Sequence, residues 1–235
     1  FQLALAPLVA AISAGNTAIV KPSEFAPATA ELIDELIGAT FAPEYVACVT
    51  GDGTVAAEVT AAPVDHIFFT GSTGIGRQVM RAAARHLTPV TLELGGKSPA
   101  IVTQEARLEI AARRVAWARF LNAGQTCVAA DYVCVHRSVH ERFVTLLAGI
   151  IAEFFGDTPK TSPDYGRIIN ERHYGRLTEL MGRQVRETDL DGPAIGGTTD
   201  EAERYIAPTV YSPANWDDPL MEDEIFGPLL PVIPY

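Results

Sequence analysis

The chain has 235 residues, 48% of them hydrophobic and 20% charged, with 29 acidic against 18 basic side chains and a net charge of −11. That is enough apolar chain to bury a substantial core in one large or two small domains. The acidic balance argues against a nucleic-acid partner, which needs clustered positive charge. The apolar run 1–12 is interrupted by Gln2 and Pro7 and is shorter than the roughly 18–20 residues of a membrane span. Cys48, Cys127 and Cys134 are an odd number in no metal-ligand spacing. A reduced, cytoplasmic setting without a structural metal is therefore expected, and the residues present show no signal-peptide pattern.

In chain order, an apolar helical segment ends at Gly15 and is followed by a strand over 17–21, a helix over 28–37 and a strand over 46–49. A short helix near 55–60, a strand at 65–69, a helix at 74–84 and a strand at 90–94 continue the series. Short apolar strands alternating with helices are the pattern of a buried parallel sheet. After Gly95-Gly96 the pattern restarts with strand 100–102, helix 109–120, a loop around Cys127, strand 132–135 and helix 139–155. The glycine pair is thus the expected boundary between domains 1–94 and 95–235. Residues 156–207 are more polar and broken by Gly and Pro, with a helix near 172–182, and the chain closes on a strand within 227–235. No internal repeat or low-complexity run appears.

Several short segments are candidates for chemistry, each with an ordinary structural alternative. His66-Ile67-Phe68-Phe69-Thr70-Gly71-Ser72-Thr73-Gly74-Ile75-Gly76 sets glycines and hydroxyls between a strand and a helix, where free N–H groups attract an anion such as a pyrophosphate, or form a plain tight turn. Lys21-Pro22-Ser23-Glu24 follows a strand end, the place where α/β sheets bind ligands, though a lysine and a glutamate in a loop are usually solvated. Glu93, before Gly95-Gly96, is a structural acceptor, a helix cap or a general base. Cys127 has no histidine close in sequence and is either a small core residue or a nucleophile. Cys48 and Cys134 lie in apolar strands and read as core residues. Met221-Glu222-Asp223-Glu224-Ile225-Phe226-Gly227-Pro228 has the look of a solvated acidic turn leading to a strand.

Taken together, Thr70-Gly71-Ser72-Thr73-Gly74-Ile75-Gly76, Leu92-Glu93-Leu94-Gly95-Gly96-Lys97-Ser98-Pro99, Phe120-Leu121-Asn122-Ala123-Gly124-Gln125-Thr126-Cys127 and Glu224-Ile225-Phe226-Gly227-Pro228 resemble, in order, the motifs of the aldehyde dehydrogenase family. The resemblance runs over essentially the whole chain. Asp131-Tyr132, Asp164 to Ile169 and Arg204 to Thr209 are similar to the class-three branch, which handles medium-chain and aromatic aldehydes; Ala130 stands where that branch commonly has proline. The fold this implies is a two-domain, Rossmann-like α/β architecture with parallel sheets in three αβα layers, incomplete at both ends.

The same resemblance implies that Cys127 is the nucleophile and Glu93 the base that activates water. Lys21 and Glu24 would hold the adenosine ribose of NAD, with NADP possible. Thr70, Gly71, Ser72, Thr73, Gly74 and Ile75 would lie against the pyrophosphate, and Glu224 and Phe226 would hold the nicotinamide half. The implied reaction oxidises an aldehyde to a carboxylic acid through a thioester, in a protein expected to form homo-oligomers. The start at Phe1 and the end on a strand lead us to expect an internal fragment. An oxyanion asparagine of the family falls upstream of Phe1, so the fragment is expected to be partly folded or inactive. Two other readings remain open: a non-catalytic cofactor-binding relative, and an acylating enzyme that uses coenzyme A.

Overall fold

The computed structural model describes residues 1–235, and the chain divides into two compact units, Phe1–Gly95 and Gly96–Tyr235.

In the first unit, α1 (Gln2–Ser13), α2 (Pro27–Thr40), α3 (Gly53–Ala61) and α4 (Thr73–Ala83) alternate with β1 (Ala18–Val20), β2 (Val46–Cys48), β3 (Ile67–Thr70) and β4 (Val90–Glu93). Local chemistry fixes the helix starts. Pro27 opens α2, where a missing N–H costs nothing and φ is already helical. Asp52 accepts from the N–H groups of Thr54 at 2.9 Å and Val55 at 3.4 Å, so α3 begins earlier than the apolar spacing predicts. The four strands form two separate parallel pairs: β1 with β2, placing Ala18 opposite Val46, and β3 with β4, placing Thr70 opposite Glu93. Leu8, Val20, Ile33, Ile37 and Val46 make a small apolar cluster. Beside β3 and β4, α4 buries Val79, Ala83 and Gly76. A Cβ on Gly76 would come within 2.8 Å of the Leu94 side chain, so glycine is what lets this helix approach its strands.

The second unit contains β5 (Pro99–Val102), α5 (Leu108–Phe120), β6 (Tyr132–Val135), α6 (His140–Phe155), α7 (Glu171–Arg186), β7 (Thr199–Asp200), β8 (Tyr205–Ile206), β9 (Thr209–Tyr211) and β10 (Leu229–Pro234). Its main sheet has the order β5-β6-β10-β9 and is parallel throughout. β7 and β8 form a small antiparallel pair. The fold is mixed α/β with parallel sheets.

Here the sequence pattern is less complete. It does not predict the short strands β7, β8 and β9, because each is only two or three residues long, too short for alternation to show. Helix α7 also extends beyond 172–182. Asn170 caps its start by accepting from the His173 N–H at 2.9 Å, and Arg183 and Arg186 occupy its last turn, where cations suit the helix dipole. One continuous core joins Ala112, Ala116 and Phe120 of α5, Phe143 and Leu147 of α6, and Val133, Leu229 and Leu230 of the sheet.

Candidate active site

Two sets of the expected functional residues exist, one in each unit. Lys21, Glu24, Glu93 and residues 70–75 belong to the first; Cys127, Glu224 and Phe226 belong to the second.

In the first unit the strand ends and the start of α4 define the site. Thr70 closes β3 opposite Glu93, the last residue of β4, and the Gly71 N–H donates to the Glu93 carbonyl at 3.0 Å. Ser72 caps α4, its hydroxyl accepting from the Ile75 N–H at 3.4 Å. The N–H groups of a first helical turn have no intrahelical acceptor and, with the helix dipole, favour an anion. Gly74 faces open space, whereas a Cβ on Gly71 would come within 2.5 Å of the Phe69 ring. The turn is therefore open towards solvent on one glycine and tight on the other. Beyond β1, Lys21 Nζ donates to Glu24 Oε2 at 2.9 Å. That hydrogen bond holds the Glu24 carboxyl below its ordinary range, so at neutral pH it stays an acceptor.

In the second unit Cys127 is exposed, in the loop that follows α5. Three consecutive residues ahead of it are left-handed: Asn122 at φ 54°, Ala123 at φ 52° and Gly124 at φ 73°. For a residue with a Cβ this costs roughly 1–2 kcal/mol. Reciprocal side-chain bonds offset part of that cost: Asn122 Nδ2 donates to the Gln125 carbonyl at 3.1 Å, and Gln125 Nε2 to the Asn122 carbonyl at 3.0 Å. Gly124 has a second reason to be glycine, since a Cβ would overlap the Gly227 carbonyl. The cysteine loop and the 224–227 turn thus meet backbone to backbone.

A buried ion pair fastens the same contact. Asp131 accepts from Arg119 Nη1 at 2.9 Å, from Lys97 Nζ at 2.7 Å and from the Ile225 N–H at 3.1 Å. Arg119 Nη2 donates to the Gly227 carbonyl. Burial pulls the Arg119 pKa down and the Asp131 carboxylate opposes this, so the guanidinium keeps its charge. Glu224 is half-buried, accepts from the Gly96 N–H at 3.3 Å, and has its pKa raised, chiefly by burial. Phe226 is itself left-handed at φ 46°. The acidic turn is therefore an anchored element; Glu222 and Asp223 are its exposed acids, and Glu222 pairs with Arg183 at 2.7 Å.

Sequence reasoning assigned no role to Arg119, Asp131 or the Gln125 side chain. A usable signal did exist for the first: Arg119 continues the buried stripe Ala112, Ala116, Phe120 of α5, and a cation at helical spacing within an apolar stripe must have a buried partner. No group of three or more His, Cys, Asp or Glu side chains is arranged to hold a metal. No helix is long and apolar enough to cross a membrane.

The aldehyde dehydrogenase family model matches residues 1–235. The chain belongs to that family. Among its relatives, 4,4'-diapolycopene-4,4'-dial dehydrogenase of Cytobacillus firmus is 47% identical over 235 residues, which is 100% of this chain and 50% of that protein. Aldehyde dehydrogenase family 3 member B1 of Rattus norvegicus is 47% identical over 232 residues, 99% of this chain and 48% of the relative. Among solved structures, the substrate-bound state of Staphylococcus aureus AldH superposes with a TM-score of 0.93 at 45% identity, covering 100% of this chain and 50% of that one. A Mycobacterium tuberculosis aldehyde dehydrogenase complexed with NAD+ gives 0.83 at 30% identity, covering 93% and 46%. The chain spans about half the length of the curated relatives it matches.

Proposed function

We propose that the protein oxidises an aldehyde to a carboxylic acid with NAD or NADP, using Cys127 as nucleophile and Glu93 as the base for water. The observation that carries this reading is the backbone contact of Gly124 with Gly227, which joins an exposed thiol to an anchored turn bearing Glu224 and Phe226. Family membership adds to it.

The residues present suit a dinucleotide. Glu24 is a free-standing acceptor braced by Lys21, and would meet a ribose hydroxyl while repelling a 2′-phosphate. The start of α4, with Gly74 open, offers N–H groups to a pyrophosphate. Glu224 and Phe226 would hold the nicotinamide half. Bound there, the cofactor would supply a hydride acceptor.

The Cys127 thiolate adds to the aldehyde carbon, forming a C–S bond and moving the carbonyl electron pair onto oxygen. Collapse of that oxyanion expels the former aldehyde hydrogen as hydride and leaves a thioester on Cys127. Glu93 takes a proton from water as the water attacks the thioester, and the C–S bond breaks to free the acid and the thiolate. Leu121, Val128 and Ile169 are exposed apolar residues of this loop region, which supports an apolar aldehyde as substrate; one relative is named 4,4'-diapolycopene-4,4'-dial dehydrogenase.

Intact-protein mass spectrometry after mixing the protein from its whole reading frame with an aldehyde and NAD tests the reading. An acyl adduct that requires both NAD and Cys127, and is lost in Cys127→Ala, supports it. A folded protein that binds NAD and forms no adduct would favour a non-catalytic relative. Release of the acyl group by coenzyme A but not by water would favour the acylating alternative.

A further inference from the structure

Cys127 sits two residues after Gln125, and the Gln125 side chain has more partners than the left-handed run needs. Its Nε2 donates to the carbonyl of Asn122 at 3.0 Å and to that of Arg167 at 3.0 Å, while its Oε1 accepts from the Ile169 N–H at 2.9 Å. A group that donates to the carbonyl of one residue and accepts from the N–H two residues later makes the pair of bonds that a single residue makes in a parallel β-ladder. Both amide protons and one oxygen lone pair are used.

The segment on the other side of this clasp is itself held. Arg167 donates to Glu203 Oε2 at 2.8 Å and to the Lys160 carbonyl at 2.7 Å, and lies over the Tyr205 ring at 5.1 Å. Ile168 exchanges bonds with Arg204: its N–H donates to the Arg204 carbonyl at 3.0 Å, and Arg204 Nε donates to its carbonyl at 3.1 Å. Gln125 therefore ties a loop with an unfavourable backbone to a braced neighbour.

We propose that Gln125 is the positioning residue of Cys127: its side-chain amide serves as a ladder rung that holds the left-handed turn, and hence the thiol, in the reactive arrangement. The proposal rests on Cys127 being the nucleophile. Only a glutamine meets the three contacts. A glutamate of equal length loses both donors and faces two carbonyls with charge, and a methionine keeps the volume while losing every bond. Gln125 does not touch the reacting atoms; it acts through the two peptide units between it and Cys127.

The test uses the protein from its whole reading frame, with Gln125→Met and Gln125→Glu, at a temperature where each is folded by circular dichroism. The first-turnover rate of NADH formation is measured beside the dissociation constant for NAD. The rate is expected to fall roughly 10- to 100-fold, as for a misplaced reacting group, while NAD affinity stays within about twofold. In the Gln125→Met background, Ala123→Gly is expected to recover about threefold or more of the rate, because glycine lowers the cost of the left-handed turn.

A rate within about twofold of the parent in a folded variant overturns the proposal. So does a parallel loss of rate and NAD affinity, or no recovery on adding Ala123→Gly. Gln125→Glu keeps the acceptor for Ile169 and decides the matter if the methionine variant fails to fold. Absence of a Cys127-dependent adduct in the parent protein would bring down the nucleophile reading itself. A normal adduct with unaltered Gln125 variants would bring down this inference alone.

Discussion

The two units build their functional residues by different means. In the first, every contact at the site is short in sequence or belongs to a strand pair: Lys21 with Glu24, Ser72 with Ile75, Thr70 opposite Glu93. In the second, the contacts span large stretches of chain: Arg119 with Asp131 and Gly227, Gln125 with Arg167 and Ile169, Lys97 with Asp131 and the carbonyls of Leu220 and Asp223. The apolar clusters differ in the same sense, a small group around Ile33 against one continuous core around Phe143 and Leu147. Damage in the first unit should thus remain local, and damage in the second should propagate.

The largest expected effect concerns chemistry. Glu93→Gln should slow thioester hydrolysis by about 10²–10⁴, the usual contribution of a general base, while first-turnover hydride release is retained. Rapid-quench mass spectrometry should then show acylated Cys127 accumulating. Unchanged steady turnover would remove Glu93 from its role.

Breaking the buried pair comes next. Asp131→Ala leaves Arg119 uncompensated and should cost roughly 3–5 kcal/mol in denaturant unfolding. Replacing both partners, as Arg119→Met with Asp131→Leu, should cost less, since no buried guanidinium is left unpaired, although Lys97 and the Ile225 N–H still lose their acceptor. Equal losses in the single and double variants would show that the pair does not act as a unit. Hydrogen exchange would locate the damage, with protection lost across β6, β9 and β10 in the single variant.

A cap in the first unit provides the contrast. Ser72→Ala should cost only about 1 kcal/mol, and exchange should quicken at the start of α4 alone. Spread of that effect to β1 and β2 would contradict the local character assigned to this unit.

Glu224 gives the smallest effect and a pH signature. Its folded pKa is raised by burial, so the folded state binds the proton more readily than the unfolded chain. Stability from this group increases as pH falls through the raised pKa and is lower above it. Glu224→Gln should therefore raise the melting temperature slightly at neutral pH, with the gain vanishing in acid. A gain that grows as the pH is lowered would reverse the assigned cause.

The same contrast explains what could be read from sequence. The β3–α4 turn and the first-unit strands were legible because glycines, caps and short apolar runs act on near neighbours. So was the cysteine loop as a motif. The bond from Gln125 to Arg167, the pairing of Arg119 with Asp131 and the seat of Gly124 on Gly227 depend on segments that meet only in the folded unit, and no periodicity encodes them. Strands β8 and β9 escaped for a related reason. Each is two or three residues long, too short for alternation to show, and is held by its neighbours in the fold.

The central place of β10 bears on when the cysteine loop becomes fully held. This strand lies between β6 and β9, and the turn that seats Gly124 directly precedes it, yet it follows β6 only after the whole stretch containing α6 and α7. During synthesis β5 and β6 must wait for it, and closing so distant a pairing is a slow step in folding. Until β10 inserts, the 224–227 turn cannot seat Gly124, and the cysteine loop has only its ties within residues 122–125 and to residues 167–169. Full ordering of the cysteine loop is thereby coupled to completion of the sheet.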